Sequence, residues 1–204
     1  MRFIGITGGV GAGKSAILRF LENEYGAYVV RADELAAELM QPGHHCHDLL
    51  REAFSDIPGL VDEHGGFRKE VLVTQVFSDG DRRAVMNSIV HPEVKKAILE
   101  DEKKHRQSGD TEYYILEAAL LIEEGYDRIC DELWYIYASE ETRRDRLKAT
   151  RGYSDERIDE IMSAQLSEEE YRAHCRYVID NDGDRETAYR DIRGIIDEQK
   201  AQKE

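Results

Sequence analysis

Positive charge is what this sequence is short of. Against 43 aspartates and glutamates it sets 28 lysines and arginines, so the 204-residue chain carries a formal net charge of −15. That excess repels nucleic acid and anionic lipid surfaces, and no partnership with either is expected. It repels any polyphosphate ligand as well, so a phosphate site in this chain needs its own island of cations. Cysteine is scarce too. Cys46, Cys130 and Cys175 are few and odd in number, which argues against a disulfide framework and suits a reduced, cytoplasmic setting. No apolar run is long enough for a membrane span, and no signal-like stretch precedes the first strand-like segment. Repeats, low-complexity tracts and linkers are also missing, so the chain does not divide into independent domains. With 41% hydrophobic and 35% charged residues, these absences leave one globular α/β unit.

What the sequence has is concentrated near its start. The apolar run MRFIGIT is followed by GGVGAGKS and then by AILRFLENEYG, whose apolar residues Ile17, Leu18, Phe20 and Leu21 recur at helical spacing. The glycines therefore sit between a strand and a helix. Gly8, Gly13, Lys14 and Ser15 satisfy the pattern G-x-x-x-x-G-K-[ST]. In that setting, backbone N–H groups turn inward around an anion and the helix N-terminus adds partial positive charge. The segment Gly8, Gly9, Gly11, Ala12, Gly13, Lys14, Ser15 and Ala16 is expected to cradle the phosphates of ATP, and Thr7 just before it is a candidate for binding the substrate. Lys14 is expected to reach the terminal phosphates and Ser15 a Mg²⁺ ion.

Further strand-like runs follow at residues 27–30, 113–116, 132–138 and 177–180, each leading into a turn or a helix. Five strands in this alternation predict a parallel sheet flanked by helices. From about 42 to 107 the pattern is helical without a strand of similar quality. This length is too great for a loop, and it reads as a helical insertion covering the site. The core is then expected at about 1–41, 108–138 and 174–204.

The motifs TGGVGAGKS, RADELAAELMQPG, IVHPEV, EAALLIEEG, ASEETRRDRL and YVIDNDG, in this order, resemble the dephospho-CoA kinase family from residue 1 to about 183. The resemblance implies transfer of the γ-phosphoryl group of ATP to the ribose 3′-hydroxyl of dephospho-CoA, giving CoA. It also implies a P-loop kinase core, a CoA-binding role for the insertion at 42–107, and a lid over about 139–173. A monomer or weak homo-oligomer is expected.

The remaining candidates carry their own chemistry. Asp33 lies just past the second strand, at the edge where open parallel sheets hold ligands. A carboxylate there can accept the proton of an attacking hydroxyl, or it can cap the helix ELAAELM; position alone does not choose. The resemblance places the catalytic aspartate at Asp33. Glu117 ends YYILE, either beside the Mg²⁺ and substrate or as an ordinary surface residue. The run RRDRLKATR supplies the basic island, and Arg143 and Arg146 share a helix face from which to neutralise transferring phosphates. Asn181 and Gly183 form a turn that the resemblance puts near the adenine. His91, before Pro92, either contacts the acceptor or marks a helix break. The cluster His44, His45, Cys46 and His47 has metal-ligand types without zinc spacing and is read as an exposed turn.

The chain also departs from the family pattern. Arg31 stands where the family often has Asp, Ala119 where it has Pro, and Thr150 where it has a second lid arginine, with Arg151 displaced by one. Two rival functions are another small-molecule or nucleoside monophosphate kinase, and a nucleotide-operated switch. The switch reading lacks N-K-x-D and has only Asp62-Glu63-His64-Gly65 as a chance match to D-x-x-G.

Overall fold

Strand β1 (Arg2–Thr7) is apolar without alternation and is buried from its second residue onward, as expected of a strand covered on both faces. In the computed structural model, which describes residues 1–202, β1 leads into α1 (Lys14–Tyr25), β2 (Tyr28–Arg31) and α2 (Ala32–Leu39). Next come α3 (His45–Ala53), α4 (Lys69–Val71) with a π-helical continuation over Leu72–Phe77, and α5 (Gly80–Ser108). The chain then forms β3 (Tyr113–Glu117), a 3₁₀ turn (Tyr126–Arg128), β4 (Glu132–Tyr137), α6 (Glu140–Arg151), α7 (Asp155–Ser163) and α8 (Glu168–His174), and finishes with β5 (Tyr177–Asp180) and α9 (Arg185–Ala201). Positions 203 and 204, the end of the expected core segment, lie outside the described residues.

The five strands form one parallel sheet in the order β2-β3-β1-β4-β5. β1 pairs with β3 through Ile4↔Ile115 and with β4 through Ile6↔Trp134. Its central place sends the loop after Thr7 out of the middle of the sheet. Helices α1 and α9 pack together beside the sheet and bury Ile17, Leu18, Leu21, Ile192 and Ile196 against Ile4, Ile6, Ile115, Trp134, Ile136 and Ile179. The rings of Phe20 and Tyr189 stack at 4.1 Å between those helices.

The chain forms two compact units, residues 1–30 with 108–204, and residues 31–107. The second unit is mainly helical and contains α2 as well as the segment from 42. Along α5, Met86, Val90, Val94 and Ile98 recur every fourth residue and are buried. The helix runs unbroken through Pro92, so the helix-break reading of His91-Pro92 fails. The exposed-turn reading of the histidine cluster fails in part, because His45–His47 open α3 and Cys46 and His47 are buried. His47 Nε2 lies 2.8 Å from the Gly65 carbonyl oxygen. Asp62 accepts from the N–H groups of His64 and Gly66, an Asx-type turn with no switch-like context.

At the start of β4, away from the loop that follows β1, the buried Glu132 accepts from Trp134 Nε1 at 2.9 Å and Gln199 Nε2 at 2.6 Å. Arg2 and Arg176 approach its other oxygen at 3.6 and 3.8 Å. Removing Glu132 leaves the buried donors of Trp134 and Gln199 without an acceptor, at about 1–3 kcal/mol each, while the partly exposed Arg2 and Arg176 turn to solvent. Glu132→Ala is therefore expected to lower the melting temperature by roughly 10 °C while leaving kcat unchanged. Calorimetry alongside a turnover assay checks both halves.

Candidate active site

The loop from Gly8 to Gly13 separates its backbone donors from its acceptors. Gly13 has φ 90° and is the N-cap of α1; a Cβ there would also lie 2.4 Å from Asn181 Nδ2, so glycine meets both the conformation and the close approach. Two N–H groups close local turns, Ala12 onto Gly9 and Ala16 onto Gly13. Those of Gly11, Gly13 and Ser15 meet no acceptor among the described residues. The carbonyls, by contrast, are taken. Lys14 Nζ donates to Gly8 O at 2.7 Å, Arg143 Nε to Val10 O at 2.9 Å, and Arg146 Nη1 to Ala12 O at 3.2 Å. Asn181 Nδ2 also donates to Ala12 O, at 2.6 Å. Free N–H groups at a helix N-terminus, with the carbonyls drawn elsewhere, form an anion site.

The first unit gathers most of the expected residues. Thr7 is buried at the end of β1. Glu117 Oε1 lies 3.8 Å from Lys14 Nζ, so it belongs to the surroundings of the loop rather than to an indifferent surface. Arg146 Nη2 donates to Asn181 O at 2.8 Å, joining α6 to the turn after β5. That turn is also held through Asp182, whose Oδ1 accepts from Ser139 N at 2.7 Å. Hydrogen bonds from the Ser139 and Thr142 side chains and from the Ser139 N–H hold the Asp182 carboxyl below its ordinary range. A depressed carboxyl stabilises above its unfolded pKa, so this staple persists at neutral pH and weakens only as pH falls through the lowered value. Gly183 is exposed beside it.

The basic island divides in two. Arg143 and Arg146 face the loop, whereas Arg144 pairs with Glu140, Asp155 and Asp159, and Lys148 with Asp155 at 2.7 Å. Gly152 caps α6 after Arg151, whose guanidinium carbon stands 5.8 Å from the Tyr153 ring centroid. Thr150 Oγ1 donates to Arg146 O. Among the described residues, Arg151 thus lies beside Tyr153, with no hydrogen bond or ion pair to the loop. Sequence reasoning missed Gln165, whose Oε1 accepts from Val10 N at 3.3 Å across 155 positions. No local pattern signals a contact of that separation.

In the helical unit, Asp33 is the second residue of α2, and the N-cap is Arg31. The capping reading of Asp33 therefore fails, and its exposed carboxylate sits in the first helical turn, where the helix dipole favours negative charge. Arg31 lies 4.0 Å from Glu34. His91 is half-buried on α5.

A parallel sheet of this order with a complete phosphate loop ahead of its first helix is that of the P-loop kinases. The model of the dephospho-CoA kinase family matches residues 2–187, and the chain belongs to that family. It is 35% identical to a dephospho-CoA kinase of Geobacter sulfurreducens over 195 residues, covering 96% of this chain and 97% of that one. A dephospho-CoA kinase of Symbiobacterium thermophilum is 35% identical over 183 residues, 90% of this chain and 75% of that protein. Among solved structures, TT1252 from Thermus thermophilus superposes with a TM-score of 0.77 at 30% identity, covering 96% of each chain.

Arg146 bridges the loop and the turn after β5, and Arg151 touches neither. Arg146→Ala is expected to weaken ADP binding roughly ten- to a hundredfold, the value of charged hydrogen bonds lost together. Arg151→Ala is expected to stay within about twofold. Titration calorimetry with ADP on the two variants decides it, and an equal loss at both positions contradicts the division.

Proposed function

We propose that this protein transfers the γ-phosphoryl group of ATP to the ribose 3′-hydroxyl of dephospho-CoA, the step that completes CoA. One observation carries the reading: the family match runs from residue 2 to 187 and so includes the phosphate loop, Asp33, Arg146 and Asn181. In the reaction the 3′-oxygen forms a bond to the γ-phosphorus, the bond from that phosphorus to the β,γ-bridging oxygen breaks, and the hydroxyl proton passes to Asp33. The loop N–H groups of Gly11, Gly13 and Ser15 hold the phosphates, and Lys14 neutralises the charge that builds on the transferring group. Arg146, and Arg143 beside it, add positive charge from the carbonyl side of the loop. Thr7 and Glu117 border the acceptor end, His91 serves the CoA side, and Asn181 and Gly183 flank the adenine.

Mg²⁺ fits the donors present. The exposed Ser15 hydroxyl and the Glu117 carboxylate are hard oxygen ligands, and Mg²⁺ in kinases is held by one or two such groups plus phosphates and water. When bound, it neutralises phosphate charge. The helical unit at 31–107 takes the CoA portion, and the segment 139–173 acts as the lid. The sparse and odd complement of cysteines, Cys46, Cys130 and Cys175, suits work in the cytoplasm, and no helix among the described residues is long and apolar enough to cross a membrane.

The test is ADP formation that depends on dephospho-CoA, measured in a coupled assay. Wild type is expected to turn over. Lys14→Ala is expected to lose at least about a hundredfold in kcat. Asp33→Asn is expected to lose on the order of a hundredfold or more with ADP affinity kept, because it removes the proton acceptor and leaves the phosphate site intact. Turnover on nucleoside monophosphates and none on dephospho-CoA would overturn the reading.

A further inference from the structure

The tip of the phosphate loop is held from outside by two side chains that the sequence places far away. Val10 donates its N–H to Gln165 Oε1 at 3.3 Å and accepts at its carbonyl from Arg143 Nε at 2.9 Å. Arg143 Nη2 donates to the same Gln165 oxygen. Both polar groups of one peptide residue are therefore clamped by a pair that is itself hydrogen-bonded, a closed ring of three contacts. The guanidinium packs so closely on the loop that a Cβ at Gly9 would lie 2.3 Å from its central carbon.

The two clamping residues are themselves well fixed. Arg143 projects from α6, whose N-cap Ser139 accepts from Thr142 N. Gln165 sits between the end of α7 and the capping box of Ser167 and Glu170 that opens α8, and its own N–H donates to Met162 O. Ion pairs from Arg144 and Lys148 to Asp155 and Asp159 tie α7 back to α6. The stacked rings of Tyr135 and Tyr171, at 4.7 Å, join α8 to β4. Burial pushes the Tyr171 hydroxyl up to about 12, so no phenolate forms near this arginine at neutral pH.

We propose that Arg143 and Gln165 are positioning residues that hold the Val10 peptide with its carbonyl turned toward α6, so that the loop presents donors to phosphate before the nucleotide arrives. The physical reason is the peptide dipole. A carbonyl swung toward the phosphates would oppose a polyanion that the chain's net charge already disfavours, and a loop free to sample that state loses affinity by the fraction of time spent there. The lid thus acts on the nucleotide through the loop backbone, and the brace belongs to binding more than to the chemical step. This rests on the kinase reading given above.

The test uses the full chain and three variants, Gln165→Leu, Gln165→Glu and Arg143→Lys. Leucine removes the shared acceptor, glutamate keeps an oxygen for both donors, and lysine keeps charge but not the two-point guanidinium geometry. Two readouts are taken, ADP affinity by calorimetry and amide hydrogen exchange of the Gly9–Ala12 segment without nucleotide. Gln165→Leu and Arg143→Lys are expected to weaken ADP binding about tenfold and to speed exchange of that segment by a similar factor, and Gln165→Leu, which removes no charge, is expected to keep kcat at saturating ATP within about threefold. Gln165→Glu is expected to stay within threefold of wild type on all three measures. Unchanged exchange and affinity in Gln165→Leu, a loss of kcat with affinity kept, or a Gln165→Glu variant as impaired as Gln165→Leu would each overturn the brace. The exchange readout needs no substrate, so a wild type inactive on dephospho-CoA would contradict the functional reading and leave the brace to be judged on exchange alone.

Discussion

An acidic protein that must grip a polyanion cannot rely on its overall field. With a formal charge of −15, the chain can meet phosphate only through dipoles arranged over a few ångströms, where local geometry outweighs distant charge. The structure meets this constraint by sorting the loop's peptide groups. Side chains of Lys14, Arg143, Arg146 and Asn181 take the carbonyls, and the N–H groups of Gly11, Gly13 and Ser15 are left for a ligand. Because β1 is central in the sheet, with β3 and β4 on either side, this arrangement stands on a rigid base.

The same constraint explains how the few cations are used. Arg144 and Lys148 are committed to the acids of α7 and its neighbourhood, and Arg151 to Tyr153. Only Arg143 and Arg146 of that helix touch the loop, and both do so through main-chain oxygens. A guanidinium fixed on a carbonyl still contributes its charge to the phosphate site, and it costs no rearrangement when nucleotide binds. Arg31, the N-cap of α2, likewise lies 4.0 Å from an acid of that helix, Glu34.

The sheet and phosphate loop were legible because their signals are local. Unbroken apolar strands, glycines with fixed spacing and a following helical period each act within a few residues. Asp33 was placed correctly after the second strand, but its competing role as a cap was settled only when the helix proved to begin at Ala32. The two readings of His91-Pro92 stayed open in the sequence because a helix tolerates proline where packing holds its two halves in line, as the stripe of Met86, Val90, Val94 and Ile98 does here. The basic island was found as a run, yet periodicity could not tell Arg143, which turns to the loop, from Arg144, which turns to α7. Gln165 was illegible for a simpler reason: its partner lies 155 positions away, and a lone glutamine carries no pattern.

In the proposed reaction the chain directs phosphate onto one hydroxyl of one acceptor. Phosphorus NMR of a reaction containing the protein, ATP, Mg²⁺ and dephospho-CoA tests it most directly. ADP and one new phosphomonoester resonance coupled to the ribose 3′ proton are expected, in equal amounts. A phosphomonoester at another position, or ADP with no phosphomonoester, would contradict it.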